Sequence, residues 1–194
     1  MSSGQVDVCA SPAAERQPGP VARWRIARRR ERDIRDEDFS AFVAATAPRL
    51  RRTAYLMCRD WHLAQDLTQI TFTRMYASWT RIRHTANLDA YSRRVLVNAL
   101  FDQRRRRSGT ELVCADLPER PEPAAATDLH VTLMTALAAL PIRDQAIVVL
   151  RHWEDQSVAT VAKIVGISVS AVKMRDARAL SRIRAMLGDD FTGS

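Results

Sequence analysis

Apolar residues recur along this chain every three to four positions, and sustained two-residue alternation is absent. That spacing predicts helices rather than sheet. One stripe runs through Phe39, Phe42, Val43, Ala47, Leu50 and Ala54, with Asp36 or Asp38 as a candidate cap and Pro48 as a candidate kink. A second predicts a helix over His62 to Trp79, from Leu63, Leu67, Thr71 and Met75 with Phe72, Tyr76 and Trp79 alongside. After the polar connection TRIRHTANLD, a third covers Asp89 to Arg107, with Tyr91, Val95, Leu96, Ala99 and Leu100 on its apolar side. LHVTLMTALAAL predicts a helix ending before Pro141, and PIRDQAIVVLRHWE another with Pro141 near its first turn.

The stretch SVATVAKIVGISVSAVKMRDARALSRIR, Ser157 to Arg184, carries a sharper pattern. Val161, Ala162 and Val165 give a first helix its inner face. Gly166 falls where the chain must turn, and glycine readily takes positive φ. Ile167 plugs the turn, Ser168 caps the next helix, and Val172 packs back on Ala162. Small residues at Ala162 and Gly166 are expected to let the two helices approach closely. This is the helix-turn-helix pattern, whose second helix enters the major groove. Its groove-facing candidates are Ser168, Ser170, Ala171, Lys173, Met174, Arg175 and Arg178. The plainer alternative is a helical hairpin with a basic face.

Charge divides the chain. The net charge is +8 and the pI about 10.4, which calls for a polyanionic partner. Lys163 and Lys173 are the only lysines; arginine's planar fork suits phosphates and guanine edges. The segment 1–35, rich in proline and then arginine, reads as a basic, disordered extension, with a transient helix as the alternative. The segment 36–107 is a first helical block. Residues 108–127 are acidic and hold three prolines, as a flexible linker does. The segment 128–187 is a second block, and 188–194 a tail. On the third helix Arg94, Asn98, Asp102 and Arg105 or Arg106 share one stripe, which runs into Arg104 to Arg107. Cations favour a helix C-terminus, yet four together exceed what capping needs, so phosphate contact is expected.

Catalytic chemistry finds no support in the motifs. His62, His84, His130 and His152 are scattered, without an HExxH motif or a glycine-rich phosphate loop. His62 and Asp66 read as a helix-surface pair. Cys9, Cys58 and Cys114 lack metal or disulfide spacing, and Cys58 reads as a small core residue. Trp61, Trp79 and Trp153 are assigned to core or interface; stacking of a melted base on Tyr76 and Trp79 is the alternative. No enzyme activity, cofactor or metal is expected. No apolar run is long enough for a membrane span and no signal core precedes the prolines, which points to the cytoplasm.

Three stretches in order, RTAYLMCRDWHLAQDLTQITFTRMYASW, AYSRRVLVNALFDQRRRR and ALPIRDQAIVVLRHWEDQSVATVAKIVGISVSAVK, resemble an RNA polymerase sigma factor of the extracytoplasmic-function (ECF) group of the sigma-70 family, in its actinobacterial form. The resemblance implies an all-α protein with a three-helix-type sigma-2 domain over 36–107 and a helix-turn-helix sigma-4 domain over 128–187. It implies that Asp66, Gln69, Ile70 and Arg74 dock on the β′ coiled coil of core RNA polymerase. By the same resemblance, Arg94, Asn98, Asp102, Arg105 and Arg106, with the connection before them, read and open the −10 element of promoter DNA. The second helix of the pair reads the −35 element, sigma-4 sits on the β flap, and the acidic linker passes near the RNA exit path. An anti-sigma factor is a further candidate partner. The chain departs from the family pattern at Ile70, where glutamate is common, and at Met174, where a small polar residue is common and a thymine methyl would suit. Asp176 adds a negative charge that would repel phosphate if it faced the backbone. A stand-alone helix-turn-helix regulator that never enters polymerase is the competing reading.

Overall fold

The computed structural model describes residues 20–85, 87–109 and 128–188. Helix α1 spans Pro20–Cys58, α2 Trp61–Ala77, α3 Trp79–Ile82 and α4 Leu88–Gly109. After the linker come α5 Asp128–Ala138, α6 Ile142–Val148, a π-helical turn Val149–Trp153, α7 Val158–Val165 and α8 Val169–Leu187. Among the described residues there is no strand, and no helix is long and apolar enough to cross a membrane. The expected linker starts two residues late, because α4 continues to Gly109; residues 110–127 and 189–194, with Cys9 and Cys114, lie outside the described residues.

Two compact units divide the chain at Glu37 and Asp38. In the first, α1 is already helical from Pro20, well before the start that Asp36 or Asp38 suggested as caps. Ala, Arg and Glu dominate this stretch and are good helix formers; it lacks the apolar stripe that would have signalled a helix. The Arg28 guanidinium stands 4.8 Å from the Trp24 ring, and Arg35 pairs with Asp36 at 3.2 Å.

The second unit, Asp38–Ser194, holds both helical blocks around shared apolar contacts. Leu50, Ala54, Leu67, Met75, Leu96 and Leu100 are buried in one cluster with Ile147, Leu150, Val161 and Val172. Each such Leu, Ile or Met contributes on the order of 2 kcal/mol through burial. Phe39 sets its ring 5.0 Å from both Tyr76 and Trp79, edge-on to the latter. Trp79 is buried, Trp61 is partly exposed beneath Arg51, and Trp153 is exposed. A second cluster joins Met134, Leu137 and Leu140 to Ala179 and Ile183 of α8, and Tyr55 and Leu56 of α1 pack against it.

Local signals explain the boundaries. Asp60 caps α2 by accepting from the Leu63 amide at 2.9 Å. The expected helix to Trp79 instead breaks at Ser78 into α2 and α3. Arg59, at φ 58°, ends α1 in the left-handed region and donates from its guanidinium to the Met134 carbonyl. Cys58 is buried and its thiol lies 3.2 Å from the Asp60 carbonyl; burial pushes it up to about 11, so it stays protonated at neutral pH.

Candidate nucleic-acid interface

The helix pair forms as its spacing predicts. Val161, Ala162, Ile164 and Val165 bury the inner face of α7. Ser157 caps α7 by accepting from the Thr160 amide at 3.1 Å. Gly166 adopts φ 74° and its amide reaches the Ala162 carbonyl at 2.9 Å. A β-carbon at Gly166 would meet nothing within 4 Å. Glycine is therefore required there for its backbone conformation, and the expected close approach at this residue does not occur. Ser168 caps α8 through the Ala171 amide at 3.2 Å, and Val172 is fully buried beneath the turn.

Charged pairs fix the orientation of α8. Arg175 donates to Asp144 of α6 at 2.7 Å. Asp176 lies 3.0 Å from His152 Nε2 and 3.7 Å from Arg151 Nε. Asp176 thus faces the π-helical turn instead of a DNA backbone, and half-buried Arg175 is engaged inside the block. Ser168, Ser170, Lys173, Met174 and Arg178 are exposed on α8, and Ala171 is half-buried. They present two hydroxyls, two cations and a thioether in the first three turns, a set able to meet base edges and phosphates.

On α4, Asn98, Asp102 and Arg105 line one groove together with Phe101 and Arg104. Asp102 lies between two arginines, 3.3 Å from Arg74 of α2 and 2.6 Å from Arg105. It is a clamp for cations and offers no free negative charge to a DNA strand. Arg94 and Arg106 are exposed outside that groove. Asp66, Gln69, Ile70 and Arg74 are exposed on α2 and line a second groove with Leu63 and Gln103. The α2–α4 pair thus carries two adjacent faces that share Arg74. His62 is exposed one turn before Asp66. Among the described residues no cluster of three His, Cys, Asp or Glu side chains could hold a metal ion.

Sequence reasoning passed over a buried polar cluster between the blocks. Glu154 is buried and accepts hydrogen bonds from Thr53 on α1 and, at 2.8 Å, from Arg93 Nε on α4; its other cation is Arg49 at 2.7 Å. Burial alone would raise its pKa, and the hydrogen bonds from Thr53, Arg93 and Arg49 outweigh that, holding it below the usual carboxylate range. Its partners lie 61 residues away in the chain at Arg93 and 101 away at Thr53, so no local spacing reveals them.

Comparison with known proteins matches the family model described as Sigma-70 region 2 to residues 42–110, and that described as Sigma-70, region 4 to residues 130–183. The RNA polymerase sigma-E factor of Streptomyces coelicolor is 36% identical over 153 residues, covering 77% of this chain and 86% of that protein. The ECF RNA polymerase sigma factor SigM of Mycobacterium tuberculosis is 28% identical over 145 residues, covering 74% of each. Among solved structures, the sigma factor RpoE of Bartonella quintana, in complex with the anti-sigma factor NepR, superposes with a TM-score of 0.67. That match covers 79% of this chain and 99% of the other at 24% identity, and it shows a shared fold. With both sigma-70 regions matched in order and a relative above one-third identity over most of its length, the chain belongs to the ECF group of the sigma-70 family of RNA polymerase sigma factors.

Proposed function

We propose that the chain directs promoter-specific initiation through three separate faces. Exposed Ser168, Ser170, Lys173, Met174 and Arg178 of α8, with Ala171 between them, read the −35 element as duplex. Arg94, Asn98, Arg105 and Arg106 of α4 hold the −10 element and its opened strand. Asp66, Gln69, Ile70 and Arg74 dock the chain on core polymerase. The observation that carries this reading is the anchoring of α8. Asp144 and the Arg151–His152 pair fix it by its inner edge, so the outer cations project from a rigid helix. Duplex readout needs that rigidity.

Opening DNA sets a different demand. Unstacking a base costs a few kcal/mol, which the protein offsets by neutralising phosphates and holding the base. The arginines around Asn98 and Phe101 supply charge, and Phe101 supplies a stacking face. Asp102 keeps Arg74 and Arg105 in place. Mounting both faces on one polymerase makes the second contact intramolecular and raises its effective concentration. The chain acts in the cytoplasm, where polymerase and promoter meet.

The test is addition of the purified full chain to core polymerase, followed by start-site mapping on genomic DNA. Defined starts sharing two spaced elements support the reading. Promoter binding without core association would favour the stand-alone regulator instead.

A further inference from the structure

The arginine-rich opening of α1 is a charged feature that the proposed function leaves without a task. Between Pro20 and Arg32 the chain carries six arginines and one acid, Glu31. The acids Asp33, Asp36, Glu37 and Asp38 come only after that stretch. All of it is helical, and Arg25, Arg28, Arg29, Arg30 and Arg32 are exposed. Arg35 is paired with Asp36 at 3.2 Å. Among the described residues no ion pair joins Arg25, Arg29, Arg30 or Arg32 to an acid.

Residues three and four apart share a helix face. Arg25, Arg28, Arg29 and Arg32 therefore form one stripe, about 10 Å long at 1.5 Å per residue. The Arg28 guanidinium lies against the Trp24 ring at 4.8 Å, which holds it on the helix surface. Like charges at this spacing repel and weaken a helix. The stripe is thus a cost to the free chain, and a bound polyanion removes it.

Two features select duplex DNA as that polyanion. A helix lying on a lipid surface needs a broad apolar face. Here Val21 and Trp24 give way, one turn at a time, to Arg28, Glu31 and Arg35. The stripe also repeats one chemistry at regular intervals, as a duplex does with one phosphate charge per about 1.7 Å of axis. Arginine's fork meets two phosphate oxygens together, and continuous basic helices lie along DNA in this way.

We propose that the first turns of α1, through Arg25, Arg28, Arg29, Arg30 and Arg32, are a sequence-independent binding site for the phosphate backbone of duplex DNA. The site reads no bases. It adds affinity that fades with salt, because each phosphate neutralised releases condensed counterions. At a promoter it supplies a third DNA contact beside α4 and α8, and the three reinforce one another through effective concentration. The binding rests on the geometry of α1; its use at promoters rests on the sigma-factor reading above.

The experiment follows binding of the full chain to a short labelled duplex by fluorescence anisotropy across a salt series. Replacing Arg25, Arg29, Arg30 and Arg32 by glutamine together should weaken binding roughly 100-fold at low salt. The slope of log affinity against log salt should fall by about 3 to 4, equally on two unrelated sequences. Glutamine is a good helix former, and lysine at the same positions should restore the slope. If the fourfold variant fails to fold, Arg29→Gln with Arg30→Gln decides the matter, with an expected fall of about 2. An unchanged slope overturns the site, and a loss confined to one sequence overturns its independence of sequence. Unchanged duplex binding with lost binding to phosphatidylserine vesicles overturns DNA in favour of a lipid surface. Unchanged duplex binding with weakened affinity for core polymerase overturns it in favour of an acidic protein face. A reduced slope in a chain that never directs initiation leaves the site standing and removes the sigma-factor reading.

Discussion

Helices α8 and α4 both carry a basic stripe, yet they are built in opposite ways. Pairs at Arg175 and Asp176 fix α8 from inside its own block, leaving its outer edge uncommitted. On helix α4, Asp102 is drawn into arginines on the outer face, and that face borders the other block. Under the proposed function, the contrast follows two different tasks. A duplex reader must hold base-contacting side chains in register, so its anchors point inward. A strand opener needs cations held beside a stacking face, as Asp102 holds Arg74 and Arg105 beside Phe101.

The largest expected effect breaks the α8 half of the comparison. Lys173→Glu with Arg178→Glu should lower −35-dependent transcription by roughly 100-fold, since each lost contact costs about 1–3 kcal/mol. Core binding, measured by co-purification, should stay intact; its loss would contradict the division of faces. On α4, Asn98→Ala with Arg105→Ala should reduce promoter opening about tenfold, seen as permanganate reactivity, with a smaller effect on closed-complex affinity. Equal loss in both would make these residues plain affinity contacts.

A smaller effect sharpens the anchoring argument. If Asp176 faced DNA, Asp176→Ala would tighten binding. Because it faces Arg151 and His152, the substitution should lower stability by about 1 kcal/mol in thermal melts, after allowing for solvent screening of a partly exposed pair. It should also weaken discrimination between −35 sequences.

The smallest effect concerns pH. The carboxyl of Glu154 ionises below its ordinary value of 4.5 in the folded unit. Its contribution to stability is therefore fully present above pH 4.5 and is lost as pH falls through the lowered value. Arg49, Arg93 and Thr53 face it, while Asp89 flanks it. Thermal stability of the wild-type protein should therefore fall below that range, and the Glu154→Gln variant should show less of the change.

Much of the fold was legible because the stripes through Leu50, Leu67, Leu96 and Val161 belong to helices that bury one face each. Gly166 and Ser168 were legible because turns and caps are local chemistry. Pairings distant in sequence were not. Glu154 sits in RHWED like any surface acid, and only the fold brings Thr53 and Arg93 to it. Arg175 looked like a DNA contact and Asp176 like a misplaced charge for the same reason: their partners are on α6 and the π-helical turn. The early part of α1 was missed because charge and helix propensity, without an apolar stripe, leave no periodic trace.

The most direct measurement is reconstitution of the purified chain with core polymerase and mapping of transcript starts on genomic DNA. The account predicts initiation at a defined set of promoters carrying both elements, lost when Lys173 and Arg178 are reversed. A chain that fails to join core polymerase, or joins it and adds no specific starts, would contradict the account.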